Sequence, residues 1–363
     1  MKNVFGNNLS ITLFGESHGA AVGAVLDGLA PGIEIDEAFI EKLLVKRRPA
    51  GAISTARHEQ DEFTILSGAF EGKTTGTPLC IVIKNSDTRG EDYSSIRYLA
   101  RPSHADYTAN CKYHGFEDYR GGGHFSGRIT AALVAAGAVI IPALEKKGIK
   151  IATHIANIGG IADRSFETIE KDIEILNNSD FAVLDSAAGE KMQEKIRAAK
   201  ADGNSVGGIL ETVICGLPAG IGEPWFDTVE GMLSHALFSV PAVKGVEFGA
   251  GFSIAEMTGA DANDTFCIKD GKVATHTNNS GGINGGITNG MPVTVRCAIR
   301  PTPTLSREQN TIDISSKNEA VLASKGRHDP CIVHRARIVV DCVCALVFAD
   351  ILSGRFGTDW LGE

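Results

Sequence analysis

Histidine and arginine in this chain gather beside glycine, and the pairing suggests proton transfer next to bound anions. The first such island is Gly15-Glu16-Ser17-His18-Gly19. A histidine between glycines on a loop can move a proton near neutral pH, although a purely structural hydrogen bond would use it equally well. Next comes Lys46-Arg47-Arg48-Pro49, with Arg57 a little further on. The planar guanidinium fork fits carboxylate and phosphate, while three cations closing a helix would also complement its negative end. The third island runs Arg101-Pro102-Ser103-His104-Ala105-Asp106-Tyr107, then Asp118-Tyr119-Arg120-Gly121-Gly122-Gly123-His124-Phe125-Ser126-Gly127-Arg128. Three glycines leading into a helix would aim backbone N–H groups at an anion; a plain flexible loop is the competing reading. The spacing is neither GxxxxGK[ST] nor GxGxxG, which excludes a P-loop and a Rossmann fingerprint. A fourth island, residues 278–286, ends in Gly285-Gly286 and precedes Arg300-Pro301-Thr302-Pro303-Thr304. Asn and Gly alone favour a tight turn there. The fifth is Gly326-Arg327-His328-Asp329-Pro330-Cys331, where Asp329 stands where a helix cap would. These residue types describe an anion-binding enzyme, with several arginines and two or three histidines near glycine loops.

Regular elements must hold those loops. A strand over 9–14 runs straight into the first island, and a helix over 38–46 is expected between a capping Asp36 and Pro49, with Ile40, Leu43 and Leu44 on one face. Residues 79–83 form a buried strand. Residues 90–128 lack periodicity, and aperiodic segments of that length are often functional. Apolar residues almost all round predict buried helices over 129–144 and 338–352. Strands follow at 149–155, 209–215 and 293–299, the last alternating cleanly, and more polar helices at 167–176 and 190–201. Sheets packed against a helical layer follow from this pattern. No linker divides the chain, so one domain is expected over 1–363.

The net charge of −9 and the lack of a basic stripe argue against a nucleic-acid binder. An acidic body with a local basic pocket suits a small anion. Glycine, 42 of 363 residues, is well above its usual share of about 7% and clusters in short loops, which suggests many places where the backbone must turn tightly or approach a ligand closely. The eight cysteines show no CxxC pair and no metal-site spacing, so no metal is expected and reduced thiols of a cytoplasmic protein are. Neither a signal peptide nor a membrane-spanning segment is expected.

In their order, the islands resemble the chorismate synthase family. GESHG, KRRP, ILSGAFEGKTTGTPL, RPSHADYT, DYRGGG, SVPAVKGVEFGAGF, SGGINGGI and GRHDPCIV carry the resemblance, from about residue 6 to residue 350. It implies an α+β fold of β-α-β sandwich type, with helices packed between antiparallel sheets, assembled as a homotetramer. It also implies a lyase that eliminates phosphate from 5-enolpyruvylshikimate 3-phosphate in the shikimate pathway to aromatic amino acids. The cofactor it implies is reduced FMN, although the reaction makes no net redox change. By the same resemblance His18, His104 and Asp329 are catalytic, and Arg47, Arg101, Arg128 and Arg327 bind substrate and phosphates. His124, Phe125, Ser126, Pro241, Ala242, Gly285, Arg300, Pro301, Thr302, Pro303, Thr304 and Arg327 would contact the flavin. The family's usual RGGGRSSAR reads RGGGHFSGR here, so His124 and Phe125 replace an arginine and a serine. His334 stands where proline or a small residue is common. The family includes members that reduce their own flavin with NADPH, often with insertions; a monofunctional enzyme is expected at 363 residues. The competing reading is an inactive or substrate-shifted flavin-binding relative of the same fold.

Overall fold

Two antiparallel sheets enclose a layer of helices in the computed structural model, which describes residues 2–49, 51–55, 59–86, 93, 96–323 and 329–363. The chain opens with β1 (Val4–Phe5), β2 (Ser10–Gly15), β3 (Ala21–Asp27) and α1 (Glu37–Arg47). Then come β4 (Phe63–Ser67), the small hairpin β5 (Ala69–Phe70) and β6 (Lys73–Thr74), and β7 (Leu79–Lys84). The first sheet has the order β1-β2-β3-β7-β4. After α2 (Asp106–Tyr113) and α3 (Thr130–Lys146) follow β8 (Lys150–Ile158), β9 (Ile161–Ala162), α4 (Ile169–Asn177), α5 (Ser186–Ala201), β10 (Gly208–Cys215), α6 (Val229–Ser239) and β11 (Val243–Phe248). The short α7 (Gly259–Ala262) and two hairpins come next: β12 (Phe266–Lys269) with β13 (Lys272–Thr275), and β14 (Ile283–Asn284) with β15 (Ile287–Thr288). β16 (Val293–Ile299), the hairpin β17 (Glu308–Ile312) and β18 (Glu319–Ala323), and α8 (Val333–Phe356) complete the main elements. The second sheet is ordered β11-β16-β10-β8-β9.

α3 and α8 lie against each other between the sheets, α3 contacting β3 and β7 and α8 contacting β8 and β10. This is the α+β, β-α-β sandwich implied by the resemblance. Burial on all sides explains why both helices are apolar around their circumference. Gly137 lets them approach: a Cβ there would fall 2.3 Å from that of Cys342. The span Gly127–Lys146 is long and apolar enough to cross a membrane, yet 89% of its apolar window is buried inside the fold.

Periodicity located α1, α3, α4, α5 and α8 and the strands β2, β7, β8, β10 and β16; it gave no sign of α2, α6 or the short strands. β16 takes the expected 293–299, with Val293, Val295, Cys297 and Ile299 facing the core. Asp36 caps α1 through Oδ1, which accepts from the Phe39 N–H at 2.9 Å. Two expectations need correction. Residues 90–128 are not uniformly aperiodic, because α2 forms within them with Ala109 its buried residue. Asp329 does not cap α8, whose N-cap is Ile332 with no side-chain bond.

Candidate active site

A cleft of about 1660 Å³ collects side chains from four of the five islands. The ends of β2 and β7 and the aperiodic segment meet there. His124 Nδ1 donates to the Gly15 carbonyl at 2.7 Å, and the Ser17 N–H to the Gly123 carbonyl at 3.1 Å. Asn85, just beyond β7, donates to the Glu16 and Gly19 carbonyls at 2.9 and 2.8 Å. Gly121 has φ +59°, and a Cβ on it would lie 2.1 Å from His18 Cε1. Gly121 is thus a close-approach position for His18, and Gly123 one for the Asp118 carbonyl, which a Cβ there would meet at 2.2 Å. The triple glycine does not lead directly into α3, since Ser126 first caps a short 3-10 turn.

His18 is buried and its ring meets that of Tyr93 edge-on, with centroids 5.1 Å apart. Ser17 Oγ donates to the Arg120 carbonyl at 3.1 Å, which can only accept. The 3.0 Å contact between Ser17 Oγ and His18 Nδ1 therefore has Nδ1–H as donor. In that tautomer Nε2 is the ring nitrogen that carries the lone pair.

His104 comes from the other side. Its segment is tied to the end of β17, with Ala100 N–H donating to Ile312 O at 3.1 Å and Ile314 N–H to Tyr98 O at 2.8 Å. His104 Nε2 lies 2.8 Å from Thr304 Oγ1, and Arg300 Nη1 donates to Ser103 O at 2.6 Å. Residues 101–106 and 300–304 thus brace each other. Arg101 holds Asp106 through Nε at 2.7 Å and Nη2 at 2.6 Å, with the guanidinium 5.9 Å from the Tyr93 centroid. Burial alone would lower the Arg101 pKa, but the Asp106 bonds raise it overall.

Arg47 and Arg128 share a carboxylate that sequence reasoning missed. Asp61, 3% exposed and at φ +53°, receives Arg47 Nη2 at 2.8 Å, Arg48 Nε at 3.4 Å and Arg128 Nη1. Burial pushes the Asp61 carboxyl up, and the charges and hydrogen bonds of Arg47 and Arg128 more than offset it, leaving its pKa below the ordinary value. Arg128 also donates through Nε to Asn85 Oδ1 at 2.9 Å and through Nη2 to Lys84 O at 3.0 Å. Arg128 thus lines the cleft as a braced wall charge, largely committed to the protein.

Asp329 is buried at the cleft wall; its Oδ1 accepts from the Thr55 N–H at 2.8 Å, and Arg335 donates to Oδ2. Phe125 is 43% exposed, lines the cleft and packs edge-on against Tyr113. Ser126, Pro241, Ala242, Arg300, Thr302, Pro303 and Thr304 also line it, whereas Gly285, in the β14–β15 turn, and Pro301 do not. Arg57 and Arg327 lie outside the described residues.

Several donors in this wall lack partners. Arg47 Nε, Arg300 Nε and Arg335 Nε are buried without a hydrogen-bond acceptor among the described residues, as is the Thr302 hydroxyl. An unpartnered buried donor costs roughly 1–3 kcal/mol, and their grouping along one cleft suits a wall that receives an anion. Arg97, also on the cleft, rests over the rings of Tyr98 and Tyr119 at 5.2 and 5.0 Å. Arg97 and Arg335 carried no sequence signal beyond being arginines near recognised islands.

Residues 9–352 match the family profile described as chorismate synthase. The chain is 46% identical over 350 residues to the chorismate synthase of Thermococcus kodakarensis, covering 96% of this chain and 97% of that one. It is 47% identical to that of Pyrococcus abyssi with the same coverage, and 46% identical to that of Methanosarcina mazei, covering 96% and 95%. A crystal structure of chorismate synthase superposes with a TM-score of 0.76 at 31% identity, covering 98% of this chain and 94% of the other.

Proposed function

The chain belongs to the chorismate synthase family, and from that premise we propose that it converts 5-enolpyruvylshikimate 3-phosphate to chorismate with reduced FMN bound. The observation that carries this reading is the convergence of two histidines, one carboxylate and several arginines with orphaned N–H groups on one cleft.

The substrate brings a phosphate and two carboxylates, about four negative charges at neutral pH, and guanidinium groups offset these best through paired hydrogen bonds. Arg47, Arg101 and Arg300 line the cleft and would serve this, and Arg128 adds its charge to the wall. The cleft volume accommodates a flavin and a substrate together. Residues 124–126, Pro241, Ala242 and the lining residues of 300–304 would hold the FMN. What reduced FMN supplies is transient electron density as phosphate leaves, in a reaction with no net redox change.

In this elimination the C3–O bond breaks, the C6–H bond breaks and a new double bond forms. His18 and His104 are assigned to proton delivery, one to the departing phosphate and the other at the flavin. Asp329 would take up the C6 proton. A well-placed proton donor at a leaving group typically contributes about 10²–10⁴-fold in rate. The reading includes a monofunctional enzyme that receives flavin already reduced.

A homotetramer is part of the same proposal, and exposed Trp225, Phe226 and Phe252 offer apolar surface for subunits to cover. A mass of four chains by light scattering would agree with it; a monomer would remove it.

The decisive experiment is anaerobic incubation of purified protein with dithionite-reduced FMN and 5-enolpyruvylshikimate 3-phosphate, following chorismate and free phosphate. Chorismate formed only with reduced flavin is the expected outcome. Folded protein that binds FMN and yields no product would favour the substrate-shifted or inactive reading, which the replacement at His124 and Phe125 motivates. His124→Arg with Phe125→Ser would then be the first restoration.

A further inference from the structure

Both oxygens of the Asp329 carboxylate are held by the protein, and both attachments lead to the first turn of α8. One is direct, from the guanidinium of Arg335 to Oδ2. The other runs through the Thr55 N–H, 2.8 Å from Oδ1. Thr55 belongs to residues 51–55, which form neither helix nor strand; one backbone bond, from the Ser54 N–H to the Gly51 carbonyl at 3.4 Å, and side-chain contacts fix the position of that N–H. His334, adjacent to Arg335, reaches the buried Ser54 hydroxyl with Nε2 at 2.8 Å. Lys200 donates to the carbonyls of Ala52 at 2.7 Å and Ser54 at 3.2 Å. The Phe181 ring stacks on His334, with centroids 6.3 Å apart and planes 27° from parallel, which limits how the imidazole can turn.

We propose that His334 is a positioning residue for Asp329, holding Ser54 so that the next backbone N–H fixes the direction of the carboxylate. This rests on the reading of the cleft as the site of the elimination. A misplacement of about 1 Å at a reacting group can cost on the order of 10²-fold in rate. A carboxylate anchored at one oxygen alone can swing by that much. Proline at 334 could not make the bond to Ser54, so this chain fixes its loop with a contact of its own.

The test compares His334→Ala, His334→Gln, Ser54→Ala and Asp329→Asn in the full chain. His334→Ala should lower kcat at least tenfold, with the KM for substrate and the affinity for FMN changing less than about threefold. Glutamine reaches the place of Nε2 and should recover most of the loss. His334→Ala should cost little in an Asp329→Asn background, since contacts acting through one group are not additive. Hydrogen exchange at the Thr55 amide should quicken at least tenfold in His334→Ala and Ser54→Ala, and stay slow in His334→Gln. Full multiplication of the two losses, failure of glutamine to rescue, or unchanged Thr55 exchange would each overturn the proposal. If the wild-type chain bound FMN but made no chorismate, the functional reading alone would fall. Thr55 exchange would still decide the positioning.

Discussion

Gly121 and His18 share a space that leaves room for a hydrogen and nothing larger. Alanine at 121 would place a methyl 2.1 Å from His18 Cε1 on a backbone at φ +59°, and the left-handed conformation alone costs about 1–2 kcal/mol. Gly121→Ala should therefore displace the His18 ring and lower turnover at least tenfold while far-UV circular dichroism stays unchanged; near-normal turnover would mean that the ring has no fixed role. Alanine at His18, His104 or Asp329 should each cost at least about tenfold in kcat with the fold retained, and three near-normal rates would remove the assigned roles. Asp61 presents the opposite case, a residue needed for the architecture of the site. Asp61→Asn leaves Arg47 and Arg128 buried without their shared charge, and breaking such a pair typically costs about 3–5 kcal/mol. Urea denaturation should show that loss, and a change under about 1 kcal/mol would mean that solvent or a neighbour replaces the carboxylate. The contrast explains what was legible at this scale. His18 and His104 announce themselves by residue type beside glycine or a recognised motif. Asp61 pairs with arginines 14 and 67 positions away, and nothing local in the sequence marks it.

Element by element, legibility followed burial pattern. β16, α1 and α3 were readable because one face, or every face, is apolar. α2 escaped because only Ala109 on it is buried, leaving no stripe to detect; Asp106 in its first turn is held by the Arg101 guanidinium. The start of α8 escaped for a related reason. His334 and Arg335 look polar in sequence, yet they face Ser54 and Asp329. Residues 96–128 have little regular structure of their own and are fixed largely by side-chain and loop contacts around the cleft, which a ligand can tighten. Saturating FMN should slow amide exchange across this segment more than in β16 or α3. Equal exchange with and without FMN would show that the segment is already fixed, and that the flavin does not order it.

Across the whole molecule, strand order was the part sequence could not supply, because β11-β16-β10-β8-β9 depends on pairings between distant residues. Those pairings also set how stability responds to pH. On the second sheet His154 is buried between Asp163 at 2.9 Å and Glu211 at 2.9 Å. Burial lowers its pKa, but the hydrogen bonds and charges of the two carboxylates outweigh this and raise it overall. His334 goes the other way, burial beside Arg335 bringing it down from 6.5 to about 4. A raised histidine contributes stability below its unfolded value near 6.5, and that contribution is lost as pH climbs through the folded value. For the depressed His334 the unfolded chain binds the proton more readily, so stability falls as pH drops from 6.5 towards 4, by roughly 3 kcal/mol from the shift alone. The melting temperature should therefore fall on both sides of neutrality, with separate causes. His334→Gln should flatten the acid limb between pH 6.5 and 4 and leave the alkaline side alone. His154→Gln should lower the melting temperature at pH 6 and reduce its decline above that. An acid limb equally steep in wild type and His334→Gln would mean that His334 does not carry that loss; Asp61, whose lowered pKa keeps it a stabilising group until the pH falls below the ordinary carboxylate range, adds its own loss only at lower pH.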